Sequence, residues 1–148
     1  MAGCDGPAPG ASSTLKSMSA IKIFSTVPAG WVQIGSARDQ GSNSSIIGRD
    51  PVFEKVWATS MSPADVVAFY KTKFPQYRFT EEGGSLPPEQ VLDGQDGWAG
   101  IAVYITPGPP TLRQNFKVSL KHSPPADNTS VLVFATGTPP NQANTPTG

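Results

Sequence analysis

The feature that most restricts the fold of this chain is its content of residues that interrupt regular structure. Sixteen prolines and fifteen glycines occur among 148 residues. This is well above their average share of about 12%. Proline and glycine tend to end helices and strands, so the elements between them must be short. The length predicts a single domain, which we place over residues 20–136.

The two ends of the chain have the composition of flexible segments. Residues 1–19 are rich in glycine, proline and small side chains, and residues 137–148 have the sequence GTPPNQANTPTG. Such segments bury too little apolar surface to offset the entropy that is lost when a chain becomes ordered. We therefore predict a flexible tether over residues 1–19 and a flexible tail over residues 137–148.

The element with the clearest signals is a helix over residues 63–74. Ser62 is a favourable N-cap, Pro63 suits the first helical position, and Asp65 completes a Ser-x-x-Asp capping box. Pro75 ends the helix. The apolar residues recur at helical spacing and form one face, which consists of Val66, Val67, Tyr70 and Phe74.

Short apolar or alternating segments between the turns predict strands. The predicted strands cover residues 21–24, 32–34, 51–59, 77–80, 100–106, 113–122 and 130–136. The strand over 113–122 alternates regularly, which is typical of a sheet with one buried face.

The order of these segments predicts the fold class. The last three strands suggest an antiparallel meander, and residues 82–97 are predicted to form a long polar loop with one helical turn near 87–92. Together the elements predict an α+β fold, in which one main helix (63–74) packs on a mostly antiparallel β-sheet.

Composition and charge exclude several classes of function. Eleven lysines and arginines balance eleven acidic residues, so the formal net charge is zero. A neutral chain lacks the basic patch of a general nucleic-acid binder, and we expect no nucleic-acid partner. One cysteine and one histidine exclude an internal disulfide, a cysteine-based zinc site and any site that needs two imidazoles. Glycine-rich phosphate-binding motifs are missing too, so we predict no catalytic residues, no metal and no cofactor.

The first four residues, Met1-Ala2-Gly3-Cys4, carry a resemblance to a known class of proteins. They resemble the lipobox of bacterial lipoproteins, which is Leu-Ala-Gly-Cys or a close variant. In that class a signal peptide is cut before the cysteine, and fatty acids such as palmitate then anchor the protein. The resemblance implies that Cys4 is lipidated and that the protein lies on the extracytoplasmic side of a cell membrane. The alternative is that Met1–Gly3 is a cloning remnant and Cys4 an ordinary free cysteine.

A second resemblance lies in residues 62–79, SPADVVAFYKTKFPQYRF. They are similar to a segment of small actinobacterial-type envelope lipoproteins, in which a Ser-Pro-capped helix ends in Phe-Tyr and basic residues before a strand. The resemblance implies a location at the envelope and does not imply an activity.

These observations favour a non-enzymatic, membrane-anchored binding or assembly module at the bacterial cell envelope. Its partners would be the membrane, through the lipid anchor, and another envelope protein. The candidate ligand or partner contacts are aromatic residues at loop edges and cations along one strand, namely Trp31, Trp98, Arg113, Lys117 and Lys121. The alternative, which we prefer, is that the two tryptophans cover the core as lids and that the cations lie on an ordinary solvated sheet face.

The alternative function is a small-ligand carrier or enzyme with a pocket between the helix and the sheet. Aromatic residues from both elements would line such a pocket, namely Phe53, Trp57, Phe69, Tyr70 and Tyr104. The same residues also suit an ordinary apolar core, which we prefer, and we expect Trp57 to be buried there.

Overall fold

The computed structural model describes residues 6–8, 10–42, 48–83, 89–110 and 116–139. Two helices and seven strands occur within these ranges, together with two short 3-10 turns at Lys22–Phe24 and Pro75–Tyr77. The helices and strands are α1 (Ala11–Ser19), β1 (Val32–Asp39), β2 (Val52–Thr59), α2 (Pro63–Lys73), β3 (Thr80–Gly83), β4 (Gln90–Asp96), β5 (Ala99–Pro107), β6 (Ser119–Leu120) and β7 (Thr129–Thr136).

All seven strands belong to one antiparallel sheet, in the order β3-β4-β5-β7-β2-β1-β6. The α+β fold predicted from the sequence is therefore confirmed. The predicted meander of the last three strands is wrong, because β6 pairs with β1 at the far edge and not with β5. The chain crosses the sheet between β5 and β6, and β7 then returns to the centre between β5 and β2.

One face of the sheet is covered by the helices, and we call it the helix face. Alternate side chains of the central strands point to this face, among them Phe53, Trp57 and Val103. They pack against Met18 of α1 and Tyr70 of α2, both of which are fully buried. This is the main core of the protein.

The opposite side, which we call the open face, carries the intervening side chains. Val56 and Leu132 form a smaller core there with Phe116 and Val118, which belong to the chain that crosses the sheet before β6. We call residues 116–121 the crossing segment. The described part of this segment covers the β1, β2 and β7 side of the open face.

Helix α2 confirms the prediction made from its end signals. The Ser62 hydroxyl accepts a hydrogen bond from the backbone N–H of Asp65 at 3.2 Å. The helix ends at Lys73, with Phe74 as its C-cap, and Pro75 begins a 3-10 turn. The predicted apolar face is buried against the sheet.

The amino-terminal helix differs from the sequence prediction. Residues 11–19, which we assigned to the tether, form α1, and Leu15 and Met18 pack into the main core. Ala8 is also buried, and its N–H donates to the carbonyl of Gln40 at 2.9 Å. Any tether is therefore confined to the residues before this contact. Residues 1–5 and 140–148 lie outside the described ranges.

Two strand predictions are wrong because the backbone forms 3-10 turns there. Residues 22–24 form a 3-10 turn in which Ile23 and Phe24 are both buried. Tyr77 also lies in a 3-10 turn, so the strand after α2 begins only at Thr80.

The carboxyl-terminal half holds two further differences. The predicted loop over 82–97 contains β4, so no helical turn forms at residues 90–92. In the predicted strand over 113–122, residues 113–115 lie outside the described ranges and only Ser119–Leu120 pair as a strand. Its alternation is still correct, since Phe116 is buried whereas Lys117 is exposed.

Candidate functional site

A groove of about 340 Å³ lies on the open face, beside the part that the crossing segment covers. It is open to solvent and runs over β4, β5 and β7. The lining residues are Asp93, Gly94, Gln95, Gly100, Ile101, Ala102, Tyr104, Phe134 and Thr136.

Small residues of the middle strand form the floor of the groove. Gly100 lies opposite Gln95 on β4 and Thr136 on β7. Ala102, two residues further along β5, lies between Asp93 and Phe134 in the same way. Because residues two apart share one face of a strand, these side chains all point to the open face. The larger side chains on β4 and β7 therefore form walls on both sides of a low floor.

Aromatic rings close one end of the groove. The ring of Phe116 contacts that of Tyr104, with centroids 4.9 Å apart and an edge-on geometry. The centroids of Phe116 and Phe134 are 6.0 Å apart. Since Phe116 belongs to the crossing segment, the position of that segment sets the shape of this end.

Polar groups occupy the other end. The carboxyl of Asp93 and the amide of Gln95 project from the same side of β4, and Thr136 faces them from β7 across the floor. The Thr136 hydroxyl donates to the carbonyl of Pro51 at 2.9 Å, which fixes its orientation. Among the described residues no lysine or arginine lines the groove. The Asp93 carboxyl on this wall disfavours anionic ligands, because like charges repel.

A buried carboxyl holds the crossing segment in place. Glu54 is fully buried on the open face, and its Oε1 accepts the backbone N–H of Lys117 at 2.8 Å. Its Oε2 has no hydrogen-bond partner among the described residues. Burial raises the pKa of Glu54, whereas the N–H groups of Lys117 and Val118 oppose that change. Glu54 thereby connects the sheet to the segment that presents Phe116.

The two tryptophans predicted as contacts lie elsewhere. The Trp31 ring is buried between the helices and the sheet, and its indole N–H donates to the sulfur of Met61 at 3.2 Å. Trp98 is half-buried and packs against the main core. Trp57 is buried in that core, as predicted. Neither Trp31 nor Trp98 lines the groove, and their role as contacts stays a prediction.

The predicted cations are only partly described. Lys117 and Lys121 are exposed on the outer side of the crossing segment. Arg113 and the predicted lipidation site Cys4 lie outside the described ranges. The two lysines are on the opposite side of the sheet from Trp31, so the structure does not combine these predicted contacts into one site.

The alternative pocket between helix and sheet stays a prediction, although the structure does not bring all five of its aromatic residues to one face. Four of its five aromatic residues, among them Phe53 and Tyr70, belong to the helix-face core, but Tyr104 lies on the open face. The Tyr70 hydroxyl is buried without a hydrogen-bond partner in the described part of the chain. Burial raises its pKa.

Sequence reasoning missed the groove because β4 was predicted to be a loop. A usable signal existed in β5, where Ile101, Val103 and Ile105 alternate with Gly100 and Ala102. Small residues on the second face of a central strand indicate that something other than a packed core lies there.

Within the described ranges no group of three or more histidine, cysteine or acidic side chains is arranged to hold a metal ion. None of the described helices is long and apolar enough to span a membrane. Comparisons with protein-family models, curated proteins and solved structures find no match to this chain.

Proposed function

We propose that this protein is a non-enzymatic lipoprotein, anchored through Cys4 on the extracytoplasmic side of a bacterial cell membrane, and that it acts as a binding module there. The observation that carries the proposal is the groove, which combines an aromatic end and a polar end on one exposed sheet face. The anchoring part rests on the resemblance of Met1-Ala2-Gly3-Cys4 to a lipobox.

The construction of the groove supports a binding role. Its walls and floor come from three hydrogen-bonded strands in fixed register, with the helix-face core packed beneath them. A site on such a support loses little backbone entropy when a ligand binds, because its strands are already ordered.

The anchoring part can be tested by metabolic labelling. The full gene, with its own upstream sequence, is expressed in a bacterium that processes lipoproteins and is grown with an alkyne-tagged palmitate. We expect the parent protein to carry the label and to sediment with membranes, and a Cys4→Ala variant to lose both properties.

A matched control for this experiment is Ser12→Ala, which changes an exposed side chain on α1. This variant should be labelled like the parent. A parent protein that takes up no label, or a Cys4→Ala variant labelled as strongly as the parent, would overturn the anchoring proposal.

A further inference from the structure

One end of the groove lies in the same cross-strand row as the end of β1. Asp39, at that end, pairs with Val52, and Val52 pairs with Thr136. Thr136 pairs in turn with Gly100, and Gly100 with Gln95. The row therefore passes straight from the end of β1 into the polar end of the groove.

The amino-terminal segment is fixed at the same end of the sheet. The N–H of Ala8 donates to the carbonyl of Gln40, the residue that follows β1. Ala8 lies four positions after Cys4 in the sequence, and an extended chain spans at most about 3.6 Å per residue. A lipid on Cys4 would thus hold this end of the sheet within about 14 Å of the attachment point.

The groove is also close to this attachment when the distance is measured across the strands of the sheet. Neighbouring strands lie about 4.8 Å apart, and β5 is three strands away from β1, so Gly100 is about 14 Å across the sheet from Asp39. The polar end of the groove, formed by Gln95 and Thr136, is therefore at the end of the sheet that an anchored protein would direct towards the bilayer.

The lining indicates the chemical class of the ligand. A carboxyl and an amide on one wall match the hydroxyl groups of a sugar, since both can accept O–H donors and the amide can also donate. The Tyr104 and Phe134 rings offer apolar surface to the C–H side of a sugar ring. Among the described residues the lining supplies no cation for a phosphate or carboxylate. The groove volume is near the lower limit of small-molecule sites, about 300–1,000 Å³.

From this placement and chemistry we infer that the groove binds the uncharged sugar headgroup of a glycolipid in the membrane that holds the protein. The inference rests on the proposed function, because the anchor determines which molecules reach the groove.

The single cysteine allows a direct test that does not depend on lipidation in the cell. The purified full chain is coupled through Cys4 to a maleimide lipid in phosphatidylcholine vesicles, with or without glucosyl-, galactosyl- or mannosyl-diacylglycerol. Hydrogen–deuterium exchange is then followed by mass spectrometry over β4 and β5. We expect at least one of the uncharged glycolipids to slow exchange in these strands several-fold.

Two variants on the same strand make the test specific. Gln95→Ala removes the amide from the groove and should abolish the protection. Gln90→Ala removes a glutamine side chain from an exposed position on β4 that lies outside the groove lining. This variant should retain the protection from exchange. Equal protection in both variants would overturn the assignment of the site.

Further vesicles separate the sources and classes of ligand. Protection by anionic phosphatidylglycerol alone, or by none of the three glycolipids, would overturn the inference. A further sample is a Cys4→Ser chain with soluble methyl glycosides. If these slow exchange in β4 and β5 and the glycolipid vesicles do not, the ligand is a soluble sugar, and the inference that it belongs to a membrane glycolipid is overturned. Because Cys4 is coupled to the lipid chemically, these experiments test glycolipid binding whether or not the cell lipidates Cys4. A failure of metabolic labelling would contradict only the proposed lipid anchor.

Discussion

The two faces of the sheet carry different kinds of side chain. The helix face buries large rings under α1 and α2, and three of them, Tyr70, Phe74 and Tyr77, stack in sequence with centroids 6.1 and 5.5 Å apart. The open face has a smaller core, one fully buried carboxyl at Glu54, and a groove with a glycine and an alanine as its floor.

This difference indicates a division of roles between the faces. Buried apolar area is the main source of stability, and most of it lies between the helices and the sheet. The open face can therefore carry a groove and an unpaired carboxyl oxygen without loss of the fold. Substitutions on the two faces should separate stability from binding.

The largest effect is expected from Tyr70→Ala on the helix face. Tyr70 is fully buried and contacts the rings of Trp31, Phe69 and Phe74. Truncation of a large buried aromatic side chain leaves a cavity and costs about 3–5 kcal/mol in the free energy of unfolding. Urea denaturation followed by circular dichroism would measure this loss.

Tyr70→Phe is the control, because it removes only a hydroxyl that has no hydrogen-bond partner among the described residues. We expect it to leave stability unchanged or to raise it by up to about 1 kcal/mol. A loss comparable to that of Tyr70→Ala would show that the hydroxyl, rather than the ring, matters.

A smaller effect is expected from Phe116→Ala on the open face. Phe116 is buried by Tyr104 and Phe134, but in the crossing segment around it only Ser119 and Leu120 pair with the sheet as a strand. The segment can relax into the space, so we expect a loss of about 2–3 kcal/mol. Hydrogen exchange should rise in the crossing segment and remain slow in β7. A uniform rise across the sheet would contradict the separation of the two faces.

Glu54 should make stability depend on pH. Its folded-state pKa is raised, because burial disfavours the charged form more than the N–H groups of Lys117 and Val118 favour it. Asp39 adds to this rise. A raised pKa means that the folded state binds the proton more tightly than the unfolded state. The stabilising contribution is therefore complete below the ordinary pKa of glutamate and is lost as pH rises through the folded-state pKa.

The measurement compares the parent with Glu54→Gln in urea from pH 4 to pH 8. The free energy of unfolding of the parent minus that of the variant should fall as the pH rises, since titrations common to both cancel. A difference independent of pH would contradict the argument. Glu54→Ala, which removes the acceptor for the Lys117 N–H, should cost about 1–3 kcal/mol.

The elements that could be predicted from the sequence are those with local signals. Helix α2 has its cap, its apolar face and its terminating proline within fourteen residues, from Ser62 to Pro75. Strands β2, β5 and β7 are rich in β-branched and aromatic residues. Helix α1 was missed, although Ala11, Leu15 and Met18 have helical spacing, because the glycine and proline content before it outweighed that pattern.

The rest depends on contacts between distant parts of the chain. Nothing local places β6 beside β1, because their pairing joins residues 35–36 to residues 119–120. The groove has the same origin, since its walls and floor come from three strands that span residues 93–136. Polar Asp93 and Gln95 made β4 resemble a loop, and only the neighbouring strands turn them into a wall.

The smallest effect on stability is expected from the groove itself. Gln95 is exposed and Asp93 is half-buried, and neither belongs to the two apolar cores. Surface substitutions of this kind change the free energy of unfolding by about 0.5 kcal/mol or less. Gln95→Ala and Asp93→Asn should therefore unfold at nearly the same urea concentration as the parent, with Gln90→Ala as the matched control. The opposite outcome is a loss of more than about 1 kcal/mol in the free energy of unfolding of either groove variant, without such a loss in the control. It would mean that the polar wall stabilises the fold, and this would contradict its assignment to ligand binding.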